Sequence, residues 1–259
     1  MTKSKRFARS LIVSLREVIC SLNFWLAAVL IFGVLFIEIA EDVFGGVSDT
    51  TFGAAYNFNI SLHFGYYIYA APLACAFAAG GSWINDEEAG FYRLRLLKSG
   101  KREYGCGLFV GSAIGGGLAL MLGVMLFASV CAILYGTSTS IDDIAAVDAW
   151  YPIVTSSCAN WNYMIVNALL AFLFGAVWSG VGLTISVYSP VRYVSYLSPF
   201  IICFCSALAL PYSLQPLEML VQMQWGSFTF TKMLLYQSIL FIAVMVWFNR
   251  AIERRVFRA

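Results

Sequence analysis

Apolar positions along this chain do not alternate as in a half-buried strand. They run on in long blocks, broken by short stretches where all the charge collects. No Asp, Glu, Lys or Arg occurs from position 50 to 85, 104 to 141, 149 to 191 or 193 to 217. Each block exceeds the roughly 20 residues needed to cross a ~30 Å hydrocarbon core. The pattern predicts six membrane helices, at about Leu22–Ala40, Phe64–Ile84, Gly105–Gly136, Trp161–Tyr188, Tyr193–Tyr212 and Lys232–Asn249. Helices are the expectation because a spanning segment must satisfy its own backbone N–H and C=O groups. A β-barrel would show alternating strands of about ten residues, and none is legible here. The fold class is therefore an all-α polytopic membrane protein, read as one transmembrane domain over 1–259.

Charge orients these spans. With six spans both termini share a side, and fifteen of the sixteen Lys and Arg residues fall on that side, Lys232 being the exception. The positive-inside rule makes that side cytoplasmic. Glu41, Asp42, Asp49, Asp142, Asp143, Asp148 and Glu218 fall in the opposite loops. Trp25, Trp83 and Trp247 lie near the inner boundaries, and Trp150, Trp161 and Trp225 near the outer ones. That is where interfacial aromatic belts form. The expected location is the cell (plasma) membrane, multi-pass, with both termini cytoplasmic.

Composition closes off other classes. Of 259 residues, 61% are hydrophobic and 12% charged, against about 45–50% and 25% in soluble domains. A soluble or a disordered chain is excluded. No cleavable signal peptide is expected, because the first apolar block starts late and lacks a small-residue cleavage site. Seven cysteines, six of them in or beside spans and only Cys158 outside, build no external disulfide framework.

The polar stretches carry their own patterns. In residues 1–21, Leu11, Leu15, Val18 and Ile19 recur at helical spacing beside Arg6, Arg9 and Arg16, which predicts an amphipathic helix at the cytoplasmic interface. In residues 85–104 an acidic cluster, Asp86, Glu87 and Glu88, is expected to open a short helix at the favourable end of its dipole. Basic residues close that helix, Phe91, Leu94 and Leu97 give it an apolar face, and Ser99-Gly100 ends it. Such a helix suits docking to another protein. Residues 211–230 are too short and polar to span yet too apolar for an ordinary loop, so a re-entrant-like external hairpin is expected. Gly107, Gly111 and Gly115, four apart, predict close helix packing in the third span. Pro72 and Pro199 mark kink points.

Several chemistries lack their residues. There is one histidine, His63, and no metal site is expected. No H-E-x-x-H, G-x-S-x-G or G-x-x-x-x-G-K-[ST] motif occurs. Glu87-Glu88 followed by Arg93 is near the glutamate pair of CAAX-type membrane proteases, but the spacing is off by one and the histidine motifs are missing. No catalytic residue is expected, and no basic-aromatic constellation points to nucleic acid. No ionisable residue sits mid-span, as ion-coupled transporters require.

Taken together, the chain resembles the membrane subunit (permease) of an ABC-2-type ABC transporter. Shared features are the length, six spans, the amphipathic first helix, a charged helix between spans two and three, and the hairpin before span six. Glu88-Ala89-Gly90, Leu94-Arg95-Leu96-Leu97 and Ser99 to Tyr104 follow the order of that family's inner motif. The family commonly has a proline where this chain has Lys98-Ser99-Gly100, and a lysine where it has Gly105-Cys106-Gly107. The resemblance implies docking of a separate ATPase subunit on a coupling segment comprising Asp86, Glu87, Glu88, Gly90, Leu94, Leu97, Arg102 and Tyr104. ATP and Mg would bind that partner, and this chain would hold no cofactor and be no enzyme. A second permease half, identical or related, and the lipid bilayer complete the implied partners. The implied function is export of a hydrophobic or amphipathic substrate such as a peptide, drug or lipid-like molecule. The alternatives are a stand-alone membrane immunity or scaffold protein and an intramembrane enzyme.

Overall fold

The computed structural model describes residues 3–44, 53–136, 159–211, 214–220 and 230–257. Their regular structure is entirely helical: α1 Lys3–Ile19, α2 Leu22–Phe44, α3 Ala54–Phe64, α4 Tyr67–Ala79, α5 Ser82–Glu88 and α6 Phe91–Ser99. Then follow α7 Lys101–Tyr135, α8 Ala159–Tyr188, α9 Arg192–Ala209, a 3-10 turn Pro216–Met219 and α10 Phe230–Phe257. Six helical stretches are long and apolar enough to cross a membrane: Leu22–Ala40, Tyr67–Glu88, Arg102–Tyr135, Trp161–Tyr188, Arg192–Ala209 and Lys232–Arg255. The chain is thus built as a multi-pass membrane protein. The second span is α4 and α5 together, bent at Gly80-Gly81.

The second and fourth spans are mostly buried within the chain, whereas the first, fifth and sixth turn most of their residues outward. For apolar spans that outward surface is lipid-facing, so the buried spans form the axis of the bundle. α7 and α8 cross there at backbone distance. A Cβ at Gly175 would lie 2.9 Å from the Gly116 carbonyl oxygen and 3.0 Å from the Gly117 Cα. Ser179 Oγ donates to the Ser112 carbonyl across the same crossing, at 3.1 Å. Small residues permit this approach, and packing without a hydrophobic driving force depends on it.

The second glycine row meets α1. Gly107 faces Ser10, Gly111 faces Ser14 and Gly115 faces Val18, so α1 runs parallel to α7 in constant register. A Cβ at Gly107 or Gly111 would stand 2.7 Å from the facing serine Cβ. A turn at Cys20-Ser21 separates α1 from α2. Ser21 Oγ accepts from the Phe24 N–H at 3.3 Å, capping α2, and α2 continues along α7, with Ile31 against Gly123. The face of α1 that is buried is therefore Ser10, Ser14 and Val18. Leu11, Leu15 and Ile19, from the apolar row of the sequence, are only partly covered.

One element was not legible in advance. α3 is an eleven-residue helix between the first and second spans, too short to cross a membrane. Phe58 stacks on Phe127 of α7 at 5.9 Å, and Tyr163 of α8 donates to Asn59 Oδ1 at 2.5 Å. Of the expected external hairpin, most lies outside the described residues. The described part is the 3-10 turn, near which Tyr236 donates to the Leu214 carbonyl at 2.8 Å. Asp142, Asp143, Asp148 and Cys158 also lie outside them.

Candidate functional site at the α5–α6 elbow

The site begins with a break. Gly90 adopts φ 68°, a left-handed conformation that favours glycine, and it ends α5 and starts α6. The sequence reading of one helix opened by acids is corrected here. Asp86, Glu87 and Glu88 are the last three residues of α5, at the end of a helix dipole that disfavours negative charge. What holds them there is a set of arginines brought from elsewhere in the fold.

Each carboxylate takes its own guanidinium. Asp86 is buried, and one oxygen, Oδ2, accepts from Tyr104 Oη at 2.7 Å and from Arg95 Nη1 at 2.9 Å. Arg95 also pairs with Glu17, joining α1, α5, α6 and the first turn of α7 in one network. Burial works against the Arg95 charge, but hydrogen bonding to Glu17 and the charges of Asp86 and Glu17 outweigh it and raise its pKa. Glu87 accepts both hydrogen bonds from Arg255 Nη2, at 2.9 and 3.1 Å. Arg255 Nη1 donates to the Val187 carbonyl, so the ends of α8 and α10 are tied to α5. Glu88 pairs with Arg192, the first residue of α9. Behind them Trp83 is buried, its ring 5.9 Å from Tyr92 and 6.5 Å from Tyr104.

The three acids thus gather every spanning helix except α2 at one end of the bundle, and both terminal helices, α1 and α10, reach it. That end also carries Arg93, Lys98 and Arg102 and is the basic end of the bundle. Deleting one partner of a buried pair is strongly destabilising because it strands the other charge. An exposed pair such as Glu88–Arg192 contributes at most about 1 kcal/mol.

α6 faces the other way. Phe91, Leu94 and Leu97, three apart, are 53%, 56% and 84% exposed, and no residue of α6 is buried. Lys98 and Arg102 beside them are exposed. Of the residues singled out by sequence, the structure brings together Asp86 and Tyr104. It keeps Glu87 and Glu88 on intramolecular partners, leaves Gly90 exposed at the hinge, and sets Leu94 and Leu97 outward. Sequence reasoning missed Arg95, Arg192 and Arg255 as the partners of the three acids, and Glu17 as the second partner of Arg95. Three of these contacts join residues 78, 104 and 168 positions apart in sequence, beyond any spacing rule.

Among the described residues no cluster of His, Cys, Asp and Glu is arranged to hold a metal ion. No protein-family model, curated protein or solved structure matches the chain.

Proposed function

We propose that this chain is the membrane-spanning permease subunit of an ATP-driven transporter of the ABC-2 type. It works in the cell membrane with the basic end and both termini in the cytoplasm, and exports a hydrophobic or amphipathic substrate. ATP and Mg are bound and hydrolysed by a separate ATPase subunit, and a second permease half completes the path. The observation that carries this reading is the elbow. A short helix presents Phe91, Leu94 and Leu97 outward among cations, while the segment before it is ion-paired to that helix through Asp86 and to two spanning helices through Glu87 and Glu88. Apolar anchors on one face of a helix seat in a partner's groove. Force applied to α6 would pass through Arg95 to Asp86 and Tyr104, and so to the second and third spans.

The mechanism divides the labour. α6 is the surface that a partner grips, and α5 is the fastening that keeps the grip from slipping. A partner that moves α6 on nucleotide binding rotates the inner ends of α4–α5 and α7 together, because Asp86 and Tyr104 share one hydrogen bond. Their glycine-lined contacts with α8 and α1 transmit that tilt to the rest of the bundle.

The test is co-expression with the ATPase encoded nearest to the chain's own gene. A stable complex that drives ATP-dependent accumulation in inverted vesicles is expected. Purification of the chain without that ATPase, together with no ATP-dependent movement of any tested substrate class, refutes the reading. Orientation is checked with single cysteines in a background without the native ones. Tyr66→Cys, on a residue 70% exposed, should react with an impermeant maleimide on intact cells, and Leu97→Cys should react only after permeabilisation. The reverse pattern inverts the topology.

A further inference from the structure

α1 and α6 enclose a cavity of about 190 Å³ at the basic end. Arg6, Arg9, Arg95 and Lys98 line it, with Ser10 and Ser99, and no carboxylate does. Arg95 is committed to Glu17 and Asp86. Arg6, Arg9 and Lys98 have no acidic partner among the described residues, whereas Glu17, Asp86, Glu87 and Glu88 each hold an arginine. Three unneutralised cations converging on one concavity repel one another and leave its field strongly positive.

Two further observations say what kind of anion fits. The cavity lies beside α6, which links the end of one apolar span at Glu88 to the start of the next at Arg102. It therefore sits where hydrocarbon gives way to the polar surface. On the same stretch of α1, Ile12 is 64% and Val13 is 39% exposed. Cations in a pocket with exposed apolar residues next to them match a phosphate attached to acyl chains. Guanidinium groups recognise phosphate in bidentate fashion, and basic pockets between helices at this level suit anionic headgroups.

We propose that this cavity binds the phosphate group of an anionic membrane lipid, whose acyl chains lie along Ile12 and Val13. The headgroup ties α1 to α6, a junction held by one described ion pair, Glu17–Arg95. The lipid thereby fixes the helix that presents Leu94 and Leu97. The site depends only on the chain being a membrane protein, so it stands or falls apart from the transport reading.

Native mass spectrometry of the full chain in detergent tests it, with phosphatidylglycerol and phosphatidylcholine of identical chains as probes. One retained phosphatidylglycerol per chain, preferred about 10-fold or more over phosphatidylcholine, is expected. The triple variant Arg6→Gln, Arg9→Gln, Lys98→Gln should lose that preference while melting normally in phosphatidylcholine. The more conservative Lys98→Gln alone, should the triple variant not fold, is expected to weaken it several-fold. The control Arg250→Gln, Arg254→Gln, which removes two exposed arginines elsewhere, should keep it. Equal retention of both lipids, or equal loss in the control, overturns the proposal. Displacement of the lipid by millimolar inorganic phosphate would make this a site for a free anion and overturn the lipid assignment.

Discussion

The two arms of the elbow are neighbours in sequence and opposites in use. α5 ends in three carboxylates, and all three are turned to the chain's own arginines. α6, one glycine later, buries none of its residues and turns Phe91, Leu94 and Leu97 outward. A charged stretch between two spans reads as a single surface patch, yet the fold uses its acids for internal fastening and leaves Phe91, Leu94 and Leu97 exposed. Acidic residues in such a loop are therefore weak evidence for a docking surface, and exposed leucines beside them are stronger evidence. The difference also separates two kinds of mutant. Changes on α5 should cost stability, and changes on α6 should cost partnership.

The largest stability effect is expected at Asp86. Asp86→Ala leaves the Tyr104 hydroxyl unpaired in a buried site and Arg95 with Glu17 alone, and should lower stability by about 3 kcal/mol. Thermal unfolding of the purified chain in detergent reads this directly. A wild-type melting curve would mean that the buried network holds nothing together.

Next in size is the α1–α7 contact. Gly111→Leu places a side chain where Ser14 already stands within 2.7 Å of a Cβ. Overpacking of this kind costs about 1–3 kcal/mol, and α1 should become accessible to protease. An unchanged digestion pattern would show that α1 is held by α6 instead, through Glu17 and Arg95.

Smaller still is Glu88→Lys. Its pair with Arg192 is half exposed, so removing it costs at most about 1 kcal/mol, and added salt should shrink the difference from wild type. A loss as large as at Asp86 would erase the gradation from buried to exposed within the elbow.

How much of this was legible follows from how far each feature reaches along the chain. Six spans were, because an apolar run longer than a bilayer is a one-dimensional signal. The break at Ser99-Gly100 was too, and Gly100 has φ 89°. α3 was not: Tyr56, Asn57, Asn59, Ser61 and His63 interrupt its apolar positions. A signal did exist, since the charge-free stretch from 50 to 85 is much longer than one span needs. The direction of the acids was lost for a different reason. In the sequence Asp86 to Glu88 group with the basic residues that follow them, whereas the partners of Glu87 and Glu88, Arg255 and Arg192, come from helices far along the chain. The glycines at 107, 111 and 115 signalled a close neighbour without naming it, because small-residue spacing carries no partner identity.

The measurement closest to the central claim is a pair of readings on one variant, Leu97→Asp. Leu97 is 84% exposed, so this change should leave the stability of the isolated chain, read by thermal unfolding, within about 0.5 kcal/mol of wild type. The same variant, co-expressed with the ATPase, should lose the co-purifying subunit and its permease-dependent ATP turnover. A variant that melts normally and still retains the ATPase at full turnover would contradict the account, because the outward face of α6 would then dock nothing.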